Sequence, residues 1–256
     1  MSIVKIAVIG GSGFAQGFGE SVWNTVGTRY GDAVYSLQKL EDEAELIFLP
    51  RHGPSHGVPP HKINHRANIQ ALKDLDVAAV IATSAVGSLR VDYAPGDFVV
   101  LDDFIDGTKG EVPTFFGEIG QVRHTDFSEP FAQDLRIALI SAADATNIKA
   151  HPSGTYMCLS GPRYETPAEV RLYASWGAHV VGMTVAPEAI LAREAGLSYA
   201  AISVVTNYGC GLIKTLPLSH TEVEAAMAAA RESMLTWLKS AITAISEGSF
   251  SVPGNL

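Results

Sequence analysis

Apolar runs alternate along the chain with stretches of helical spacing, separated by turns rich in small and polar residues. Ile3–Ile9 is an apolar run closed by Gly10-Gly11-Ser12-Gly13, which reads as a buried strand entering a tight loop. Val34–Leu40 and Glu45–Leu49 read as strands separated by the acidic turn Glu41–Glu43, and Arg51–His61, rich in Gly, Pro and His, as a loop. Asn64–Leu75 has helical spacing, with Ile69, Leu72 and Leu75 on one side. Ala78–Ala82 predicts a buried strand ending in the small-residue turn Thr83–Ser88, and Gly96–Asp102 predicts another strand. Pro130–Ala143 is helical in pattern, and Thr155–Leu159 is a strand. Thr166-Pro167-Ala168-Glu169 is a helix start, a hydroxyl cap followed by proline at the first helical position. Val180–Met183 reads as a short strand, Pro187–Ala195 as a helix stopped by Gly196, Tyr199–Thr206 as a strand, and Ser219–Ile245 as a long amphipathic helix.

This alternation predicts an α/β layered fold with a largely parallel or mixed sheet. No internal repeat, low-complexity segment or linker interrupts it, so residues 1–256 read as a single domain. In such sheets ligands gather at loops beyond the carboxyl ends of strands. Five candidates are rich in small or polar residues: Gly10–Gly13, Arg51–His56, Thr83–Gly87, Met183–Glu188 and Thr206–Gly209.

Composition narrows the field. The 256 residues, 47% hydrophobic and 18% charged, suffice for a large core and exclude disorder as the dominant state. With 18 Lys and Arg against 27 Asp and Glu, the net charge of −9 argues against a nucleic-acid binder but leaves room for a small anion in a local pocket. Two cysteines, Cys158 and Cys210, make neither a disulfide scaffold nor a self-contained metal site, and they read as reduced packing residues. There is no signal-peptide pattern and no apolar run near the roughly 20 residues that span a bilayer. The expectation is a soluble, cytoplasmic protein without a membrane partner.

The glycine loop follows a strand, as a dinucleotide fingerprint does, but Gln16 stands where the third glycine belongs. Its amides and the Ser12 hydroxyl could cradle a phosphate, or the loop could be a plain turn. Arg51 offers a rigid fork suited to phosphate, and His52 a further donor. With Thr83-Ser84-Ala85, these clusters make the donor set of an inorganic phosphate site. His52, His56, His61 and His65 crowd one stretch without acidic partners at ligand spacing, so no metal is expected. No G-x-S-x-G elbow is present, and Tyr156–Leu159 reads as strand core rather than a thiol site.

Six motifs in order resemble the trimeric type of the purine nucleoside phosphorylase and methylthioadenosine phosphorylase family. They are Val8–Gly13, Leu49–Gly53, Asn64–Ile69, Ser84–Leu89, Gly161–Thr166 and Gly182–Glu188. The resemblance implies a central mixed, barrel-like sheet flanked by helices. It also implies reversible phosphorolysis of a purine nucleoside to free base and a pentose 1-phosphate. Inorganic phosphate is then a co-substrate, and no cofactor is needed. Carried over by motif, the phosphate site comprises Ser12, Arg51, His52, Ser84, Ala85 and Thr184. Met183 meets the ribose, and Tyr164 walls sugar and base. His124, in Val122–Phe127, is similar to the residue that family trimers lend to a neighbouring subunit. A homotrimer or a dimer of trimers follows from the resemblance alone.

The family divides by base. Enzymes for 6-amino purines present Thr-Asp-x-Asp after the late strand, whereas this chain has Thr206-Asn207-Tyr208-Gly209. An Asn amide can donate to O6 or N7, and Glu165 can accept from N1–H. The pair resembles the inosine and guanosine branch, with Asn207 stabilising the leaving base as its charge develops. His220 falls where that branch places a histidine for the 5′-hydroxyl, or it simply opens the last helix. Arg51–Gly53 and Asn64–Ile69 look more like the methylthio side, so methylthioinosine and methylthioadenosine stay open as substrates. Glu188 reads as a helix-start acid rather than a catalytic group. A non-catalytic nucleoside or phosphate binder is the remaining alternative, but it has no use for a leaving-group donor.

Overall fold

Strands covered on both faces read as continuous apolar runs, and the longest of these lie at the centre of the sheet. In the computed structural model, residues 5–15, 17–19, 21–39, 45–110, 113–213 and 219–247 are described. Of the residues read above, Ile3 and Val4, Gln16, Leu40 and Glu41–Glu43 lie outside them. Eleven strands of the described residues form one mixed sheet. They are β1 (Ile6–Gly10), β2 (Trp23–Thr28), β3 (Gly31–Lys39), β4 (Glu45–Pro50), β5 (Ala79–Ser88), β6 (Phe98–Val100), β7 (Asp103–Asp106), β8 (Ala150–His151), β9 (Thr155–Cys158), β10 (Val180–Gly182) and β11 (Ser198–Tyr208). The helices are α1 (His65–Asp74), α2 (Gln133–Ala145), α3 (Pro167–Ser175), α4 (Val185–Ala195) and α5 (His220–Glu247).

Period-two alternation sorts the core onto two faces. Ala7, Ile9, Ile47 and Leu49 pack with α1 and α4, through Ile69, Leu72, Ala189 and Leu191. Ile6, Val8, Leu46 and Phe48 pack with α2 and α5, through Leu135, Leu139, Met227 and Trp237. Helix ends obey local chemistry. The Asn64 side chain accepts from the Ala67 amide, Thr166 and Glu169 close a capping box, and Gly196 ends α4 at φ 75°. At α5 the Ser219 hydroxyl accepts from the Glu222 amide while the Glu222 carboxylate accepts from the Ser219 amide.

β5 is the hub of the sheet. β11 lies along one edge, from Ser198 opposite Ala79 to Tyr208 opposite Ser88. On the other edge β1 pairs in parallel with Ala79–Ala82, while β10 pairs antiparallel with Gly87 and Ser88. Between them, residues 83–86 have no strand partner on that edge among the described residues, and the sheet forks open. The expected turn at Thr83–Ser88 is therefore corrected: the segment continues as strand. Its small side chains reflect a cleft beside it rather than a reversal of the chain.

β2, β7 and β8 escape the periodicity. β2 is an edge strand with exposed Asn24, Thr25 and Gly27, and β7 begins and ends in exposed aspartates. After Gly13 the described chain passes through turns into β2. The glycine loop thus lacks the following helix that a dinucleotide fingerprint requires. No helix of the described residues is long and apolar enough to cross a membrane.

Candidate active site

The fork in the sheet opens into a cavity of about 580 Å³. Ser12 reaches it from the loop after β1, and Arg51 and His52 from the loop after β4. Ser84 and Ala85 line it from the open edge of β5, and Met183 and Thr184 from the junction of β10 and α4. Tyr164 and Glu165, just ahead of α3, and Asn207, near the end of β11, also line it. His220 and Val223, three residues apart on the first turn of α5, form another part of the wall. His124 is exposed and is not among the residues lining this chain's cavity.

Arg51 is almost wholly buried and mostly engaged. Its Nε donates to Glu188 Oε1 at 2.5 Å, Nη2 to Oε2 at 2.8 Å, and Nη1 to the Thr83 carbonyl at 2.6 Å. Three of the five guanidinium hydrogens are thereby spoken for. A side chain at Gly11 would stand 2.5 Å from Arg51 Nη1 and 2.6 Å from Thr83 O, so only glycine admits this arrangement. The Gly11 amide itself donates to the Thr83 hydroxyl at 3.1 Å, which removes it from any anion cradle.

Glu188 also accepts from Tyr199 Oη at 3.0 Å, and His65 Nδ1 stands 3.6 Å away. Burial alone would raise this carboxyl, but the charge and hydrogen bonds of Arg51, aided by His65, hold it down at about 2. Glu188 does lie in the first turn of α4, as expected of a helix-start acid. Its larger role is as the counter-ion of Arg51.

His52 differs from its expected part as a simple donor. Its Nδ1 is 2.8 Å from the Val58 carbonyl, which can only accept, so that nitrogen carries the hydrogen. Burial and the neighbouring Arg51 push its pKa down to about 4. At neutral pH the ring is uncharged and Nε2 offers a lone pair. The Ser84 hydroxyl meets that of Ser203 at 2.8 Å, and the Thr184 amide donates to Tyr156 Oη at 3.4 Å. The Thr184 side chain makes no cap bond to α4.

At the other end, a register shift between Val205 and Asn207 marks a bulge in β11, the kind of irregularity that re-aims a side chain. The Thr206 hydroxyl donates between Val86 O (3.2 Å) and Asn207 Oδ1 (2.8 Å), and Asn207 Nδ2 donates to Tyr208 O at 3.0 Å. The amide is thus oriented, with a second Nδ2 hydrogen to give. Glu165 is 6% exposed. Burial is the main cause that raises its pKa, with Glu169 adding to it, against the opposing hydrogen bond from its own backbone amide and a weaker pull from Arg163.

A family model described as the phosphorylase superfamily matches residues 5–243. This chain belongs to that superfamily. It is 49% identical over 224 residues to a probable 6-oxopurine nucleoside phosphorylase of Moorella thermoacetica, covering 86% of this chain and 85% of that one. It is 46% identical over 248 residues to the 6-oxopurine nucleoside phosphorylase of Pyrococcus furiosus, covering 94% and 93%. Among solved structures, a methylthioadenosine phosphorylase of Schistosoma mansoni in complex with adenine superposes with a TM-score of 0.90 at 34% identity, covering 96% of this chain and 93% of that one.

Within this phosphorylase fold, every residue expected at the site except His124 lines one cavity. His56, Val58, Pro60 and Val223 line it too; of these the sequence placed only His56 in a candidate ligand loop, at its end and without a role of its own. His56 had two signals, as the end of the Arg51–His56 loop and as one of four crowded histidines. The structure separates these: His52 and His56 line the cavity, His61 is exposed, and His65 is buried beside Glu188.

Proposed function

We propose that the protein catalyses reversible phosphorolysis of 6-oxopurine nucleosides, giving free base and ribose 1-phosphate. One observation carries the reading: Glu165 and Asn207 share a cavity with Ser12, Arg51 and Thr184. A donor and an acceptor suited to a 6-oxopurine edge thus sit in the same space as a phosphate-type donor set. The late strand carries Asn207 where a 6-amino purine enzyme carries Asp, and the named relatives at 46–49% identity support the same base.

Phosphate sits under the sugar, held by Ser12, Arg51, His52, Ser84, the Ala85 backbone and Thr184. Met183 lies against the ribose, and Tyr164 walls it. The C1′–N9 bond breaks to an oxocarbenium-like sugar, whose charge the phosphate offsets. A phosphate oxygen then bonds C1′ with inversion. Asn207 donates to N7 or O6 as negative charge gathers on the base, and Glu165 accepts from N1–H. The proton of hydrogen phosphate ends on the purine. No side chain acts as nucleophile, and the reaction draws on positioning and electrostatics rather than a cofactor.

At the 5′ end, His220 is a partner for a hydroxyl, while Val223 beside it is an apolar surface. This pairing keeps methylthioinosine as a second substrate with the same 6-oxo base. His124 acts in a neighbouring subunit of a homotrimer. The strongly exposed Ile119 and Val122 next to it support an interface there. Neither Cys158 nor Cys210 forms a disulfide, which fits a cytoplasmic setting.

The test is base release with phosphate from inosine, guanosine, adenosine, methylthioinosine and methylthioadenosine, assayed separately. Inosine and guanosine are expected to be cleaved well ahead of adenosine. Rapid adenosine cleavage with inert inosine overturns the base assignment.

A further inference from the structure

The proposed phosphate end holds less positive charge than its residue types promise. Arg51 is matched by Glu188, and the Nδ1 hydrogen of His52 is committed to Val58 O, so its ring faces the cavity as a neutral acceptor. A phosphate dianion brought here meets hydroxyls, amides and a neutralised guanidinium.

His56 stands where the missing charge is needed. Its Nε2 lies 3.5 Å from Ser12 Oγ, and its ring centroid is 4.6 Å from that of His52. The backbone at His56 is left-handed, φ 54°, a conformation uncommon for a residue with a side chain. Three bonds hold it there: His56 N to Gly53 O at 3.0 Å, Val58 N to His52 O at 3.0 Å, and His52 Nδ1 to Val58 O at 2.8 Å. Local strain maintained by surrounding bonds is characteristic of functional positions.

We propose that His56 is the residue that supplies positive charge to the bound oxyanion, so that phosphate enters this cavity together with one proton. The proposal rests on reading the cavity as a phosphate site and extends it to a residue outside the matched motifs. The proton comes from solvent, resides on the His56 imidazole while phosphate or the sugar phosphate is bound, and leaves with it. It takes no part in the bond exchange at C1′.

The groups facing His56 set the sign. Burial lowers its pKa first, then His220 and Arg51 lower it further, while Glu224 raises it. The ring is therefore neutral in the empty pocket at neutral pH. A dianion beside Ser12 opposes all three lowering influences and draws a proton on. Affinity for the anion then falls as pH rises.

Sulfate is the discriminating probe, because it stays a dianion across the neutral range and any proton taken up belongs to the protein. Sulfate binding to the full chain is measured by calorimetry near pH 7 in buffers of different ionisation heat. Histidine ring resonances are followed in parallel by NMR. We expect net proton uptake, with His56 the ring whose titration moves upward. His56→Asn, which tolerates the left-handed backbone, should lose the uptake and bind sulfate about tenfold more weakly or worse. If that variant does not fold, the wild-type NMR titration decides alone. Sulfate binding without proton uptake, or with the proton on His52 or His220, overturns the role of His56 and leaves the phosphate site standing. No sulfate binding together with no phosphorolysis of any nucleoside overturns both.

Discussion

Glu188 and Glu165 are two buried carboxylates beside the same cavity, 0% and 6% exposed, and they have opposite surroundings. Glu188 receives two guanidinium bonds from Arg51 and a phenol bond from Tyr199. Glu165 lines the cavity without such a partner, and burial raises its pKa instead of a cation lowering it. The same side chain is a structural counter-ion in one place and, in the other, an acceptor held only by its own backbone amide, with capacity left for a ligand N–H. What separates them is whether the fold provides the cation.

The largest test of this contrast is stability. Glu188→Ala leaves Arg51 buried without its partner and should cost about 3–5 kcal/mol, read as a shift of the urea midpoint. Glu165→Gln removes a buried charge that no cation is bonded to and should leave the midpoint unchanged or slightly higher. Equal losses in the two variants would erase the distinction.

Next in size is the chemical step. Asn207→Ala should lower kcat for inosine about 100-fold, the typical loss for a donor aimed at developing charge, with a smaller change in nucleoside affinity. An unchanged kcat removes Asn207 from the leaving-group role. Glu165→Gln should weaken kcat/KM for inosine by about tenfold, since the amide oxygen still accepts from N1–H but a charged acceptor becomes a neutral one, a difference of about 1 kcal/mol.

The two carboxylates also respond oppositely to acid. Glu188 is depressed in the fold, so its stabilisation is full above its unfolded value of about 4.3 and is lost as pH falls toward about 2. Glu165 is raised, so it protonates earlier on acidification and stops accepting from N1–H. The KM for inosine should therefore rise on the acid side while the protein remains folded, and Glu165→Gln should flatten that limb. Loss of fold and loss of affinity at one pH would erase the contrast between the two carboxylates. The smallest effect is at the rim: His220→Ala should cost inosine several-fold more than methylthioinosine, about 1 kcal/mol for an exposed contact. Equal losses on both would remove the 5′-hydroxyl contact.

Much of the fold was legible because it rests on short-range rules. The apolar run before Gly10, the Thr166–Glu169 cap and the Gly196 stop each act within a few residues. The edge strands β2, β7 and β8 were not legible, because half-exposed strands carry little periodic signal. Thr83–Ser88 was misread as a turn because small residues mark both turns and strand edges beside a cleft. Motif order picked out the candidate site residues, but not that Arg51 is held by a carboxylate 137 positions away or that His52 is neutral.

Residue identity by itself determined the donor types, the absence of a carboxylate at Asn207 and the class of ligand they suit. The acid excess of the chain, −9, excluded a broad polyanion surface, and on that count alone a locally electropositive pocket remained open. Only the tertiary structure decided the charge of that pocket. The pairing of Arg51 with Glu188, the Val58 carbonyl on His52 and the placement of His56 beside Ser12 all join residues through space. Charge in a cavity depends on distance and burial, and neither is written in the order of residues along a chain.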